Sequence, residues 1–285
     1  MQFAVTLPQL GRAASAQSIM DAARAAEDLG FKDVWVNDHI GFAADTEHPS
    51  PRMYEPLSCL SLALAVTRTI GLGTQITAPY YPPIYLAKTL SSLDALSEGR
   101  LKIAIGVGWQ KAEFDAMGSA FATRGKRTDE IIAILRSCWK TGSSEFEGQY
   151  YSFPAVKISP PPAHAIPIWI AGTTPPAFNR AVTLGDGYHG QPTRREGPLY
   201  ARQNALRELP ALIRELRAAR PDEATFRISM YTHEWDPAAT DGDLIRRERD
   251  FLAEAGVQHV VAAFHQRDGA SWIQSIRELA RILPL

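Results

Sequence analysis

The chain has 285 residues, of which 45% are hydrophobic and 21% charged, and its net charge is −1. This composition predicts a soluble protein with a large core, and the balanced charge argues against nucleic-acid or membrane-surface partners. No apolar run reaches the roughly 20 residues that a membrane span requires. The N-terminus carries no basic export signal, so we expect a cytoplasmic protein.

Strand and helix patterns alternate along the chain. Strands are predicted near residues 2–6, 32–37, 70–76, 101–106, 166–171, 187–191, 226–232 and 258–264, and helices over 15–29, 56–68, 83–97, 124–140, 175–184, 194–218, 241–255 and 270–282. The strands are continuously apolar, which is typical of parallel strands buried on both faces. Eight such units predict an α/β fold, namely a (β/α)8 TIM barrel, and a doubly wound sheet is the alternative. Cys59 and Cys138 lie in helical patterns and are expected to be buried thiols.

One segment departs from this alternation. Residues 141–167 combine a hairpin-like run, from Glu145 to Phe153, with a proline-rich stretch. We therefore predict an insertion hairpin between the fourth helix and the fifth strand. The hairpin either covers part of the barrel rim or is a surface element that takes no part in the chemistry.

The C-terminal ends of the strands are the places where TIM barrels carry their active sites. The predicted strands end in Leu7-Pro8-Gln9, Asn37-Asp38-His39, Gln75-Ile76-Thr77-Ala78, Gly106-Val107-Gly108-Trp109, Ala171-Gly172-Thr173-Thr174, His189-Gly190-Gln191, Tyr231-Thr232-His233 and Phe264-His265. Four of the seven histidines therefore map to one face of the barrel. Scattered histidines would not be expected to collect there, so this face is the candidate site.

Histidines at strand ends are also the ligands that metal hydrolases use on this fold. The sequence has no His-x-His after the first strand, no carboxylate at the end of the eighth strand and no His-x-x-x-His on a helix. These gaps argue against a metal, and we predict none. The alternative is an organic cofactor that lies across the mouth of the barrel.

A candidate phosphate-binding loop follows the fifth strand. Gly172-Thr173-Thr174 precedes Pro175-Pro176 at the start of a helix. The glycine would permit close backbone approach, the threonines would donate hydroxyls, and free amides at the helix N-terminus would face an anion. The same residue types also cap ordinary helices, so a role in capping alone remains open.

Seven motifs, in order along the chain, resemble the bacterial-luciferase-like superfamily. They are Asp38-His39, Gly73-Thr74-Gln75-Ile76, the Pro-x-x-Leu-Ala-Lys of residues 83–88, the Leu-Asp-x-Leu-Ser-x-Gly-Arg of residues 93–100, Gly106-Val107-Gly108-Trp109, the Phe-x-Gly-x-Tyr-Tyr-x-Phe of residues 146–153 and Gly185-Asp186-Gly187. The similarity runs from residue 3 to about residue 191. Within the superfamily, the chain most resembles oxidoreductases that use the deazaflavin coenzyme F420, because Glu113-Phe114 follows Gly-Val-Gly-Trp. FMN-dependent monooxygenases are the nearest relatives of that branch.

The resemblance implies one luciferase-like TIM-barrel domain over residues 1–285, with a flavin-like ring at the C-terminal mouth. It also implies a bulge with a non-proline cis peptide at Gln75-Ile76, placed against one face of the ring. The residues it implies for cofactor binding are Asp38, Gln75, Ile76, Gly108, Trp109, Gly172, Thr173 and Thr174. His39 is the expected catalytic residue, because an imidazole at the ring edge can move a proton or stabilise charge. The alternative is a histidine that only fixes its loop.

We therefore predict an oxidoreductase, expected to be a homodimer, that transfers hydride between F420 and a small-molecule substrate. The alternatives are an FMN-dependent luciferase-like monooxygenase and a non-catalytic flavin-binding barrel. An acid role for Glu113 is a further hypothesis. An aromatic pocket is suggested by several side chains that could equally pack in the core, namely Phe42, Tyr80, Tyr81, Trp109 and Trp235.

Overall fold

The structure, a computed structural model, describes residues 1–41, 52–191, 200–222, 224–233 and 235–285, and for residues 200–207 it describes the backbone alone. The strands are β1 (Gln2–Thr6), β2 (Asp33–Asn37), β3 (Gly71–Thr77), β4 (Leu101–Gly106), β5 (Ser143–Glu147), β6 (Ser152–Lys157), β7 (Ile168–Ala171), β8 (Gly187–Gly190), β9 (Arg227–Thr232) and β10 (His259–Ala262). The helices are α1 (Ala16–Asp28), α2 (Pro56–Val66), α3 (Pro83–Leu96), α4 (Lys111–Ala116), α5 (Arg124–Thr141), α6 (Pro175–Leu184), α7 (Tyr200–Ala219), α8 (Gly242–Glu254) and α9 (Gly269–Ile282). The first residues of the predicted helix 194–218, and Phe42, lie outside the described residues.

Eight strands form a closed parallel barrel in the order β1, β2, β3, β4, β7, β8, β9 and β10. The first strand pairs in parallel with both β2 and β10, and this double pairing closes the ring. A doubly wound sheet would instead have two open edges. The predicted TIM barrel is therefore confirmed. No helix in the described parts of the chain is long and apolar enough to cross a membrane.

Side chains alternate along each strand between the barrel interior and the layer under the helices. Two tryptophans, Trp35 and Trp169, fill the middle of the interior, with their rings stacked at a centroid distance of 5.6 Å. The backbone makes room for them at Gly73, where an added Cβ would lie 2.2 Å from the ring of Trp35. The mouth of the barrel lies above this aromatic layer, at the C-terminal ends of the strands.

The predicted hairpin consists of β5 and β6, which form an antiparallel two-stranded sheet outside the barrel. Its turn is tied to α5, because the carboxylate of Glu130 accepts hydrogen bonds from the backbone N–H groups of Gln149, Tyr150 and Tyr151 at 2.8–3.3 Å. The guanidinium of Arg127 lies over the ring of Tyr150, 5.0 Å from its centroid. The hairpin therefore packs along α5.

The expected cis peptide at Gln75-Ile76 is wrong. Within the described residues, the cis bond is that between Ser159 and Pro160. β3 keeps its parallel register with β4 through Thr77, without a bulge. An unbroken ladder needs no strained peptide, which would cost about 3 kcal/mol. Cys59 and Cys138 are buried and unpaired, as expected.

Candidate active site at the barrel mouth

The mouth of the barrel has a floor of small and polar residues above the two tryptophans. By the alternation of the strands, the inward positions are Thr6, Asn37, Gln75, Gly106, Ala171, Tyr231 and Ala263. A Cβ added to Gly106 would find its nearest neighbours at 3.8–4.0 Å, among them the side chains of Ala171 and Gln75. At Gly106 the floor is therefore uncrowded.

Polar atoms in this floor lack partners. The side-chain amide of Asn37 donates to the hydroxyl of Tyr231 at 2.8 Å, which links opposite sides of the barrel. Asn37 Oδ1 and Thr6 Oγ1 are buried and have no hydrogen-bond partner among the described residues. An unsatisfied buried polar group costs about 1–3 kcal/mol. A heteroaromatic ligand with its own donors and acceptors fits this layer.

The backbone at the end of β3 borders the floor. The side chain of Gln75 faces the mouth and is half-buried. Ile76 is fully buried, and its side chain packs in the core between the barrel and the helices. Of the two predicted cofactor-binding residues, only Gln75 therefore presents a side chain to the mouth, and Ile76 can contribute only its backbone.

Asp38 is the first residue after β2, and its buried side chain contacts the end of β3. The side chain is 5% exposed; its Oδ2 accepts the N–H of Thr77 at 2.8 Å and its Oδ1 accepts the hydroxyl of Tyr81 at 2.9 Å. Burial raises the pKa of Asp38 to about 7, although both hydrogen bonds act in the opposite direction. These contacts favour a role in fixing the end of β3, and direct cofactor binding by Asp38 stays a prediction.

His39, the predicted catalytic residue, stands at the mouth with its side chain 20% exposed. Its Nδ1 lies 3.1 and 3.2 Å from the two carboxylate oxygens of Glu113, which lies in the first turn of α4. The ring of the exposed Trp109 stands almost perpendicular to the imidazole, at a centroid distance of 6.2 Å. His39 and Trp109 therefore come together, and Glu113 joins them as a partner of His39.

Gly108 is required by the backbone of the loop after β4. Its φ is +77°, and an added Cβ would lie 2.6 Å from the Cγ2 of Thr77 and 2.7 Å from the ring of Phe114. Both the left-handed conformation and the lack of space exclude a larger residue. Arg124 Nε donates to the carbonyl of Gly108 at 3.1 Å. The glycine thus permits the tight turn after β4 that brings Trp109 and Glu113 beside His39.

The loop from Gly172 to Thr174 requires its glycine, because Gly172 has a φ of +140° and an added Cβ would lie 2.8 Å from the Cβ of Ala177. Thr174 is the N-cap residue of α6, but its hydroxyl makes no capping bond, so capping does not explain the threonine. The expectation of free helix amides is wrong. Prolines fill the first two positions and lack an N–H, and Ala177 N–H donates to the carbonyl of Thr174. The donors left for an anion are the N–H groups and hydroxyls of Thr173 and Thr174.

The four histidines do not all reach the mouth. His233 and His265 stand there with their rings stacked, Nδ1 of the first 3.0 Å from Nε2 of the second. His189 instead lies inside the barrel, 1% exposed and stacked on Trp35 at 4.9 Å. Burial lowers the pKa of His189 to about 3, and the neighbouring His259 acts in the same direction. Its predicted place at the mouth is wrong because His189 is an inward-facing residue within β8, and its ring lies in the aromatic layer against Trp35 and Trp169.

A Ser-His-Asp arrangement lies deeper still. His259 Nε2 is 2.9 Å from Asp33 Oδ2, and its Nδ1 is 2.8 Å from Ser229 Oγ. All three residues are 1% exposed or less. No substrate can reach the serine, so this is not a hydrolase site. Among the described residues, no group of three or more His, Cys, Asp or Glu could hold a metal.

The other predicted aromatics divide between core and site. Trp235 is 1% exposed, packs on Phe3 at a centroid distance of 6.2 Å and belongs to the core. The hydroxyl of Tyr80 donates to Glu113 at 2.8 Å, and Tyr81 holds Asp38. The two tyrosines therefore hold the carboxylates of Glu113 and Asp38 in place, and they do not line an apolar pocket.

Comparison with known proteins assigns the family. The luciferase-like monooxygenase model matches residues 1–280. An uncharacterised protein of Mycobacterium tuberculosis is 31% identical over 201 residues, covering 65% of this chain and 70% of that protein. The F420-dependent hydroxymycolic acid dehydrogenase of the same organism is 33% identical over 174 residues, 59% of this chain and 47% of that protein. Pyrimidine monooxygenase RutA of Bradyrhizobium is 32% identical over 137 residues, 46% and 38% of the two chains.

Solved structures agree on the fold. An F420-dependent secondary alcohol dehydrogenase in complex with an F420-acetone adduct superimposes with a TM-score of 0.75 at 19% identity, covering 99% of this chain and 98% of that one. A monooxygenase from Streptomyces bottropensis gives a TM-score of 0.78 at 20% identity, with the same coverage. The resemblance read from the seven motifs is confirmed: the chain belongs to the luciferase-like monooxygenase family, a family of oxidoreductases.

Proposed function

We propose that the chain is an F420-dependent oxidoreductase that transfers hydride between the deazaflavin and a small organic substrate at the barrel mouth. The observation that carries this proposal is the pair formed by His39 and Glu113. A buried carboxylate holds an imidazole at the edge of an uncrowded floor, and hydride transfer that is coupled to proton transfer needs such a group. An F420-dependent dehydrogenase among the relatives supports the choice of cofactor.

The residues at the mouth fit a flavin-like cofactor. The buried polar atoms that lack partners, Asn37 Oδ1 and Thr6 Oγ1, suit the heteroatoms of a ring. The cofactor would be held by the backbone at Gln75 and Ile76, by Gly108 and Trp109, by the loop of Gly172, Thr173 and Thr174, and through Asp38 behind the loop. When bound, F420 supplies two-electron hydride chemistry. The chain contributes orientation, exclusion of water and a proton site at His39.

Two alternative functions can be distinguished from the F420-dependent oxidoreductase by a binding titration. An FMN-dependent monooxygenase is supported by the relatives named as monooxygenases. A non-catalytic flavin-binding barrel would hold a cofactor without using it. Purified protein is titrated with F420 and, separately, with FMN, and binding is followed by fluorescence. We expect tighter binding of F420.

An FMN dissociation constant tenfold below that of F420, a difference of about 1.4 kcal/mol, would end the F420 assignment. Bound F420 that exchanges no hydride with a panel of alcohols, aldehydes and ketones would favour the non-catalytic barrel. Thr173→Ala with Thr174→Ala is the matched variant, because it removes two donors from the proposed phosphate loop and leaves the floor and His39 unchanged.

We also propose a homodimer in the cytoplasm. Two large apolar side chains on α3 are unusually exposed, Tyr85 at 62% and Leu96 at 72%. Exposed apolar surface of this kind often marks a contact with another protein. Light scattering on the purified chain measures the mass directly, and Leu96→Glu should lower it if α3 forms the contact. A monomeric mass for the unchanged chain would contradict the homodimer.

A further inference from the structure

Glu113 accepts hydrogen bonds from two separate parts of the chain. Its Oε1 accepts the backbone N–H groups of Ile40 at 2.7 Å and Gly41 at 3.1 Å. Its Oε2 accepts the hydroxyl of Tyr80 at 2.8 Å, and both oxygens lie within 3.2 Å of His39 Nδ1. The residue is 3% exposed. Glu113 therefore joins α4 to the loop after β2 at the point where that loop carries His39.

The protonation state of this cluster follows from its donors. Burial by itself raises the pKa of Glu113, but hydrogen bonds from His39, Gly41 and Tyr80 outweigh it and hold the pKa below its ordinary value. Burial and the neighbouring Glu113 raise the pKa of Tyr80, so the phenol keeps its proton. An ionised carboxylate can only accept hydrogen bonds. His39 Nδ1 must therefore carry a hydrogen and donate it to Glu113.

We propose that Glu113 is a positioning residue that fixes His39 as the Nδ1–H tautomer and so makes Nε2 the nitrogen that exchanges a proton with substrate. This inference rests on the proposed function. With F420 bound, the deazaflavin would supply the two-electron acceptor for oxidation of a C–OH group to C=O. Nε2 of His39 would take the proton that the oxygen releases, and in the reverse direction the imidazolium would return it. In both directions the carboxylate stabilises the imidazolium across a short distance.

A purely structural role for Glu113 would tie α4 to the loop and would not depend on charge. Glu113→Gln separates the two roles, because glutamine keeps the shape of the side chain. Its carbonyl oxygen would stay opposite the two backbone donors of Ile40 and Gly41, which leaves the amide NH2 facing His39. That NH2 donates where the carboxylate accepted. Nδ1 would then become an acceptor, and the hydrogen would move to Nε2.

The test measures the tautomer of His39 and the rate of the reaction in separate experiments. Nitrogen-15 spectra of histidine-labelled protein without cofactor, taken at pH 8 and assigned with His39→Asn, should show hydrogen on Nδ1 of His39 in the unchanged chain and on Nε2 in Glu113→Gln. With F420 and the best substrate found, kcat should fall about 10²–10⁴-fold, while KM and the F420 dissociation constant change less than threefold. Asp115→Asn is the control, because it makes the same charge change two residues away on α4, where the side chain is 59% exposed.

Each outcome decides the assignment. An Nε2–H tautomer in the unchanged chain, or the same tautomer in Glu113→Gln, would overturn it. A tautomer switch that leaves kcat equal to that of Asp115→Asn would also overturn it. If the chain fails to bind F420 but the tautomer switches, the proposed function fails and the control of His39 by Glu113 stands. If Glu113→Gln does not fold, the spectrum of the unchanged chain still decides, and Tyr80→Phe, which leaves the carboxylate in place, should keep hydrogen on Nδ1.

Discussion

Asp38 should destabilise the folded chain at neutral and alkaline pH, and replacement by asparagine should remove that effect. The side chain is 5% exposed, and its oxygens accept hydrogen bonds from Thr77 and Tyr81. Burial nevertheless raises the pKa of Asp38 from 3.8 to about 7. The folded chain therefore keeps a proton that the unfolded chain releases at lower pH.

The magnitude follows from the two pKa values. Where the unfolded state binds fewer protons than the folded state, the free energy of unfolding falls as pH rises. For Asp38 this range runs from 3.8 to about 7. Because one pKa unit corresponds to about 1.4 kcal/mol, the full loss is about 4 kcal/mol at pH 8. Well below pH 3.8 both states hold the proton, and the contribution of the residue disappears.

Asp38→Asn keeps the size of the side chain and cannot ionise. The amide oxygen can still accept from Thr77, and the amide NH2 can donate to the hydroxyl of Tyr81. We expect the variant to exceed the unchanged chain in free energy of unfolding by roughly 1–4 kcal/mol at pH 8, and the difference to shrink to nearly zero at pH 4. Urea unfolding between these values measures it. The exposed control Asp115→Asn should stay within about 0.5 kcal/mol of the unchanged chain throughout.

A carbon-13 titration of the Asp38 carboxyl is the direct check. A midpoint near 4 would refute the argument, because the buried carboxyl would then ionise as it does in the unfolded chain. A stability difference between Asp38→Asn and the unchanged chain that is the same at pH 4 and pH 8 would refute it as well. Either result would mean that the hydrogen bonds from Thr77 and Tyr81 outweigh burial.

Three further variants probe the mouth. Gly108→Ala should lower the free energy of unfolding by about 1–3 kcal/mol more than Gly118→Ala, since both have positive φ but only Gly108 lacks space for a Cβ; equal urea midpoints would contradict this. The double change Thr173→Ala and Thr174→Ala should weaken F420 binding by about 1–3 kcal/mol without lowering the melting temperature; unchanged affinity would remove the loop from the binding site. His39→Ala should lower kcat about 10²–10⁴-fold and the F420 dissociation constant little; near-normal turnover with tenfold weaker binding would make it a binding residue.

The barrel could be predicted because its signals are local and repeated. Apolar strands such as Ile103 to Ile105 need cover on both faces, and only helices that alternate with them provide it. The Gly108 turn could also be located, since a glycine after a strand marks a close approach of backbone. The lack of donors at the start of α6 was readable as well, because Pro175 and Pro176 carry no N–H.

The partner of His39 could not be predicted from the sequence. Glu113 stands 74 residues further along the chain, and nothing in the spacing says that α4 returns to the loop after β2. The position of His189 failed for a different reason. The predicted strand ends at residue 191 and β8 ends at Gly190, so the length of the strand is not the cause. The depth at which His189 lies depends on how the eight strands are staggered around the barrel. Contacts between distant segments, and the depth of an inward-facing side chain, come from packing that local patterns do not contain.

A network of hydrogen-bonded polar side chains lies under the mouth and takes no part in it. Lys102 donates to Asp33 at 2.5 Å, His259 bonds to the same carboxylate, and Ser229 links His259 to His189. Burial raises the pKa of Asp33, but its bonds to His259 and the charge of Lys102 outweigh it, so the carboxylate is ionised. Each hydrogen bond in this network therefore donates in the direction of Asp33, and the imidazoles of His259 and His189 are held neutral in fixed tautomers. This order belongs to the N-terminal half of the barrel, where side chains stabilise the fold. The proposed chemistry lies instead with His39, which a different carboxylate, that of Glu113, contacts at the open end.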